Sequence, residues 1–503
     1  MKSALNLKKT AAAVSALLLA FGSFSCQDKA LEPTSQIQFS DQVVFSNPTR
    51  IGLQVNGLYS YVKAGTFLGG RVQVFGDIRA NDFTNRSSNL VTGTAVWNHT
   101  LTETSQNDVV NTWGAGYSAI NQINVFLAGM DANAASFVAP TFPANFATTT
   151  ALAYQGEARF LRALCYYTLL QFYARPYIES SGTKPGLPLR LKAEVGSEGN
   201  DLARSSVDDV YKQIIIDLDF AEKNLPLTYG ATAFNNITRA HRNTAIALKT
   251  RVYLAMGRYA DVITEANKIV PTSAPFVAPS GVAHALNASI TGVFAVPQET
   301  AESILSFPFT AQDTPGTQNQ LAFYYLPASL GGSGGEYSLN TGADGVLSDP
   351  GFGTADVRRT GLTARSGSEV FLTKYPTGSP YTDKAPVIRY AEVLLSLAEA
   401  RVRSTNSVDP QALALLNAVR GRSNSAGVYT AASFTSAAAM ANAILLERRI
   451  EFLGEGLRNT DLLRLDATIP GKGTIGAVEP SNTLYVWPIP STELLTNSLV
   501  VRN

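Results

Sequence analysis

Two cysteines, three histidines and four methionines are spread over 503 residues, and each shortage closes a class of function. Cys26 ends an N-terminal apolar run and Cys165 lies on an apolar helical pattern, so no disulfide framework is expected. His99, His241 and His284 are far apart in sequence. None stands in an HExxH or two-Cys-two-His arrangement, so a zinc site is not expected. An excess of one charge is also missing, with 40 basic residues against 39 acidic ones. That balance gives no electrostatic basis for nucleic-acid binding. Beyond residue 26 no run of 18 apolar residues is long enough to span a bilayer as a helix. A Walker-type phosphate loop is absent, as is a dinucleotide fingerprint following a strand.

Two partial motifs fail on their own context. Residues 331–335 read GGSGG and fit the spacing of a nucleophile elbow around Ser333. The elbow needs a strand before it and a helix after it, whereas the turn-rich EYSLNTGADG follows. Residues 340–351 resemble a calcium loop at Asp344-Gly345, but Gly342 and Gly351 stand where oxygen donors are required. The carboxylate pair of a glycosidase is a spatial feature, and the densest acidic positions fall on expected helices. No catalytic residue, metal ligand or cofactor is assigned.

What is present begins with a targeting segment. Lys2, Lys8 and Lys9 form a basic start, and residues 11–24 form an apolar run too short to span a bilayer comfortably. The run ends at Ser25-Cys26. Residues 1–25 read as a lipoprotein signal peptide, with Cys26 as the lipid attachment site. An ordinary secretory signal cleaved nearby is the other reading. Removing residues 1–25 takes away three lysines and no acid, which leaves a net charge of −2. Residues 26–40 lack periodicity and read as a lipid-anchored tether, followed by a single domain over 41–503.

Apolar residues at helical spacing predict helices over 111–130, 151–174, 206–224 and 436–456. Ser205 or Ser206 is placed to cap the third, with Asp208 and Asp209 in its first turn. Two stretches read as helix pairs. In 242–270, Tyr253, Gly257, Tyr259 and Ala266 sit where a tetratricopeptide-like pair needs two packing aromatics, a tight turn and a small contact residue. In 387–404 and 409–422, Pro410 suits the first turn of the second helix. Residues 60–108 and 271–386 are rich in Gly, Pro, Thr, Ser and Asn, with β-prone runs at 72–75 and 304–309. Residues 131–150 read as a long loop. The expected fold is mainly α: a scaffold of tetratricopeptide-like helical pairs with large irregular loop insertions and a few short strands. Loops of that length are uncommon in a compact domain unless they are functional.

Residues 446–465 read LERRIEFLGEGLRNTDLLRL. Leu446, Ile450, Leu453 and Leu457 recur at helical spacing. Arg448, Glu451, Glu455 and Arg458 share the opposite face of such a helix, and Asp461 and Arg464 continue the alternation of sign. Gly454 and Gly456 predict a break or a close approach. A polar cluster beside apolar residues reads as a structural ion-pair network rather than a catalytic site.

This stretch resembles the C-terminal motif of the SusD/RagB family. FSNPTRIGLQVNGLYSYV (45–62) looks like the family's first helix, and TWGAGYSAINQINVFL (112–127) is similar to its tryptophan-containing helix. GEARFLRALCYYTLLQFYARPYI (156–178) resembles its most recognisable helix, and LYVWPIPSTELLTNSLVVRN (484–503) its usual ending. The matching segments follow in the family's order. The resemblance implies a helical core with four tetratricopeptide-like pairs and an elaborated loop face. It also implies a non-catalytic, lipid-anchored outer-membrane protein facing the cell surface. Such a protein captures nutrients, often glycans, for a SusC-like TonB-dependent transporter. A helical-repeat scaffold without a small ligand and a glycoside hydrolase are the alternatives.

Sugar binding uses flat aromatic faces together with amide, carboxylate and guanidinium groups. The segment 76–100 interleaves these types in Asp77, Asn81, Asp82, Phe83, Arg86, Trp97 and Asn98. Phe323, Tyr324 and Tyr325 form a second aromatic cluster in an expected loop. These residues are the candidate ligand contacts, and one site would require the two segments to meet. Trp113 and Trp487 fall in motifs read as structural.

Overall fold

The computed structural model describes residues 44–196 and 198–503. Cys26, the expected signal peptide and the expected tether lie outside the described residues. Helices start where a polar residue precedes an apolar periodicity. Asn47 accepts the Thr49 N–H at 2.9 Å, with Pro48 in the first turn, and α1 runs Pro48–Val62. Then come α2 (Arg71–Ile78), β1 (Phe83–Asn85), α3 (Thr94–Trp97), α4 (Asn111–Asn133) and α5 (Ala151–Tyr173). Ser206 caps α6 (Val207–Asn224) by accepting the Asp209 N–H at 3.0 Å. Next are α7 (Ala233–Thr238), α8 (Arg242–Ala255), α9 (Tyr259–Ala266), α10 (Ile290–Phe294) and β2 (Ser303–Phe307). The loop-rich part holds α11 (Leu321–Tyr325), β3 (Tyr337–Leu339), α12 (Val357–Gly361), β4 (Thr363–Ser366), β5 (Glu369–Leu372) and β6 (Ala385–Arg389). The chain ends with α13 (Tyr390–Thr405), α14 (Pro410–Ser423), α15 (Ala437–Glu451), α16 (Arg458–Leu463) and α17 (Ser491–Thr496). Asp409 caps α14 through the Ala412 N–H at 2.8 Å, with Pro410 as its first residue.

Consecutive helices pack as pairs: α5 with α6, α8 with α9, α13 with α14. The pairs pack on one another in turn, α6 on α8, α9 on α13, and α13 on α15. This gives the expected mainly α architecture of tetratricopeptide-like pairs. A continuous core runs through it from Phe45 to Val500. Cys165 is fully buried in that core. Arg162 pins three helices together. Its Nε and Nη2 bond the Asp217 carboxylate at 2.8 and 2.7 Å, and its Nη1 bonds Asn124 at 2.8 Å. The strands form a four-stranded antiparallel sheet in the order β1-β3-β5-β4 and a two-stranded antiparallel sheet of β2 and β6.

Three expectations change. Residues 72–75 are helical, within α2, because helical spacing puts Val74, Phe75 and Ile78 into the core, where Phe75 packs on Trp487 at 5.6 Å. Tertiary packing overrides β-propensity there. Residues 321–325 form the short helix α11 rather than a loop. Within 131–150, Phe137, Phe142 and Phe146 pack on one another at 4.7–5.3 Å, so that connection carries its own small core.

The charged C-terminal stretch forms the expected structural ion-pair network, but not along a single helix face. α15 stops at Glu451, and Gly454 and Gly456 turn the chain at φ of 84° and 83°. The carboxylates instead reach elements distant in sequence. Glu451 bonds Arg358 and Arg389 at 2.9 Å each and also pairs with Arg422. Glu455 bonds Lys374 and Arg389 at 2.7 Å. Glu447 bonds Arg420 at 2.9 Å, Asp356 bonds Arg358 at 2.6 Å, and Glu302 pairs with Arg389 and Arg422. Arg448 and Arg464 share Asp461 at 2.9 Å each. Arg458 is different, since its Nε has no hydrogen-bond partner and its backbone N–H faces Asp77. Burial pushes the Glu451 carboxyl up, but Arg422, Arg389, Arg358 and Lys374 together hold it well below the carboxylate range.

Candidate ligand-binding face

The segment 76–100 is fastened from beneath. Lys472 Nζ donates to the carbonyls of Ile78, Arg79 and Ala80 at 2.6, 2.7 and 3.0 Å. Its ammonium thereby closes the C-terminal end of α2, where the helix dipole favours a cation. Burial pushes the Lys472 ammonium well below its usual range, and Arg79 adds to this. The same Nζ lies 5.4 Å from the centre of the Trp97 ring. Asp77 accepts the Gly456 N–H at 3.1 Å, and burial pushes its carboxyl up to about 7.

The two aromatic segments do meet, but inside the protein. Trp97 Nε1 donates to the Phe83 carbonyl at 2.9 Å, and the Phe83 ring lies 5.1 Å from that of Tyr325. Tyr325 stacks in turn on Tyr375 at 6.1 Å, and Tyr324 on Tyr337 at 6.3 Å. Asp77, Asn81, Asp82, Phe83, Tyr324 and Tyr325 are all buried. Their side chains are engaged by the fold and are not offered to a ligand. Asp82 accepts from Arg449 at 3.0 Å and from the Val346 N–H at 3.1 Å. Asn81 donates to the Asp344 carbonyl, while its own carbonyl accepts from Asn340 at 2.8 Å. Of the sequence candidates, Arg86, Trp97, Asn98 and Phe323 keep partial exposure. Arg86 is already engaged, with Nε 2.7 Å from Glu369, Nη1 2.7 Å from the Gly335 carbonyl, and its guanidinium 4.9 Å over the Phe371 ring.

The buried polar residues have another use. Through Asn340, Asp344 and Val346 they hold the loop after β3, and that loop rims an open pocket of about 500 Å³. The opposite walls are α12 and the β4–β5 hairpin. Thr341, Ser348, Thr354, Thr360 and Thr363 line it with hydroxyls, Arg359 and Arg365 with guanidiniums, and Leu347 and Val370 with apolar surface. None of the lining residues is acidic. Sequence reasoning missed this pocket. Its one trace in the sequence is the clustering of Thr and Arg at 354–365, which becomes a wall only when β4 pairs with β5.

His241 and His284 were also missed as neighbours. Their rings stack at 5.2 Å with Nε2 atoms 3.4 Å apart, both fully buried. Burial pushes His284 down to about 4 and holds His241 well below its usual range, with His284 adding to the shift at His241.

With this geometry in place, comparison with known proteins decides the family. A model described as the SusD family matches residues 355–469, and one described as starch-binding associating with outer membrane matches 34–254. A SusD superfamily structure from Bacteroides fragilis is 30% identical, with a TM-score of 0.79, and the match covers 91% of this chain and 99% of that one. The chain belongs to the SusD/RagB family. Another SusD relative, SusD-like protein P2 of Formosa agariphila, is 25% identical over 398 residues, 70% of this chain and 73% of its own length. The SusD fold is shared by surface glycan-binding protein A from Bacteroides uniformis at 20% identity and a TM-score of 0.70, with 90% of this chain and 99% of that one covered.

Proposed function

We propose that this SusD/RagB protein captures carbohydrate at the outer membrane without acting on it chemically, and delivers it to a SusC-like TonB-dependent transporter. The observation that carries the reading is the family membership, including a matched model described by starch binding and outer-membrane association. The pocket supports it. Hydroxyl and guanidinium groups beside apolar surface suit sugar hydroxyls and C–H faces. The lack of an acid among the lining residues removes the carboxylate pair that glycoside hydrolysis would need there. Arg86, Trp97, Asn98 and Phe323, which keep some exposure, remain candidate contacts. Lipidation at Cys26 would hold the protein at the membrane, facing the cell surface.

A glycan array followed by calorimetry on the 27–503 fragment tests capture. Binding of a defined oligosaccharide class is expected, with no change in the glycan on prolonged incubation. Absence of any glycan binding, or release of shortened products, would overturn the reading. Copurification of a TonB-dependent transporter from detergent-solubilised membranes tests delivery.

A further inference from the structure

Four arginines that keep some exposure fall into two groups. Arg86 is neutralised by Glu369 at 2.7 Å, and Arg449 by Asp82 at 3.0 Å. Arg359 and Arg365 are not neutralised in this way. Arg359 hydrogen-bonds protein only through Nη1, donating to the Leu347 carbonyl at 2.7 Å and to that of Phe352, and its guanidinium lies 5.9 Å over the Phe352 ring. Its Nε and Nη2 make no hydrogen bond among the described residues. The Arg365 side chain has neither a hydrogen bond nor an ion pair among the described residues. Both arginines line the same 500 Å³ pocket, whose wall holds no acid. In a protein where buried carboxylates gather arginines from several elements, two arginines without carboxylate partners in one concavity form a local positive site. A guanidinium presents paired N–H donors that match the oxygens of a carboxylate or sulfate. The hydroxyls of Thr341 and Thr354 donate and accept, as sugar hydroxyls require, while those of Ser348 and Thr363 already donate to the Thr341 and Arg359 carbonyls and offer acceptor lone pairs.

We propose that this pocket binds an anionic saccharide, one bearing a carboxylate or a sulfate ester, with Arg359 and Arg365 as its cationic contacts. The inference rests on the carbohydrate-capture reading and narrows its ligand class. The Arg359 Nη1 bonds to the loop 347–352 fix that guanidinium in place. Arg365, on the exposed face of β4, closes on the anion from the other wall. Attraction between exposed charges is screened by salt, so affinity falls as sodium chloride is raised.

Calorimetry on the mature chain tests this with paired probes. One pair is hexameric oligogalacturonate and its methyl ester. The other is a sulfated carrageenan hexasaccharide and its desulfated counterpart. The expected result is tight binding of one acidic probe and binding of its neutral counterpart weakened at least about tenfold, the loss of a charge-assisted contact. Which acidic probe binds identifies carboxylate or sulfate as the recognised group. Arg365→Gln should weaken the acidic probe by about tenfold at an unchanged melting temperature. Equal affinity for acidic and neutral partners, or an Arg365→Gln protein that binds the acidic probe normally, overturns the inference. Binding of neutral oligosaccharides alone overturns the anionic assignment and leaves carbohydrate capture standing. Binding of neither acidic probe overturns the anionic assignment, and absence of binding across the glycan array as well overturns both.

Discussion

Replacing Glu451 with Gln removes one charge from the centre of the buried network and changes almost no volume. Glu451 is fully buried. Its Oε2 faces Arg358 at 2.9 Å, and its Oε1 faces Arg389 at 2.9 Å together with Arg422. In the wild type, Arg358, Arg389, Arg420, Arg422 and Lys374 are matched by Asp356, Glu302, Glu447, Glu451 and Glu455. The variant leaves one cation uncompensated away from water, which costs about 3–5 kcal/mol. Unfolding entropy of roughly 2 cal/mol/K per residue over about 460 residues gives about 1 kcal/mol per degree. The melting temperature should therefore fall by about 3–5 °C in calorimetry at neutral pH. Arg422→Gln in the same protein should restore part of the loss, because the two side chains are direct partners. The pH dependence has a definite sign. The folded Glu451 carboxyl titrates below its ordinary value of 4.5. The stability it contributes is full above that value and is lost as pH falls through the depressed folded value. The gap between wild type and variant should then close progressively below about pH 4.5. A variant that melts within a degree of wild type at neutral pH would refute the reasoning.

Asp77 titrates near 7 in the fold against an ordinary 3.8, so stability from its neutral form is full below 3.8 and is lost as pH rises through 7. Asp77→Asn should gain on wild type between pH 5 and pH 8.5 in thermal melts, and parallel curves would contradict the burial argument. Lys472→Met leaves the carbonyls of Ile78, Arg79 and Ala80 without their donor. The cost should be about 3 kcal/mol or more, with faster amide exchange across 76–100, and unchanged exchange there would show that the segment is held otherwise. Cys26→Ala should release the protein from membranes or block its processing, since stable anchoring needs several acyl chains. Unchanged fractionation and an unchanged mature mass would rule out lipidation at this residue.

Helices and caps were legible in the sequence because their signals are local. Ser206 and Asp409-Pro410 start helices where their chemistry requires, and Gly454 and Gly456 break one. The partners of Glu451 were not legible, because Arg358, Arg389 and Arg422 come from separate elements that only the packed fold unites. The polar residues Asn81 and Asp82 looked like ligand contacts for a related reason. A loop asparagine or aspartate serves a ligand equally well or ties down a neighbouring loop, and burial alone decides between the two. In this fold the loop after β3 and Arg449 claim them. Arg359 and Arg365 carried no motif, so their shared pocket emerged only from the pairing of β4 with β5.

The network and the pocket are joined through one short helix. Arg358 and Arg359 are neighbours on α12 with opposite surroundings. Arg358 is buried against Asp356, Glu447 and Glu451, while Arg359 is half-exposed at the pocket wall. Asp356 also caps α12 by accepting the Arg358 N–H at 2.9 Å. Lys374 and Arg389 are gripped by Glu455 in the same manner, just after β5 and at the end of β6. The insertion that carries the pocket is thus bound to the helical scaffold at three points by carboxylates of the C-terminal charged stretch. Buried pairs of this kind add little net stability over apolar packing, yet they are costly to break singly and they fix orientation. That is the property a recognition surface built on loops requires. The residues that touch a ligand can vary while the charges beneath them keep the wall in place.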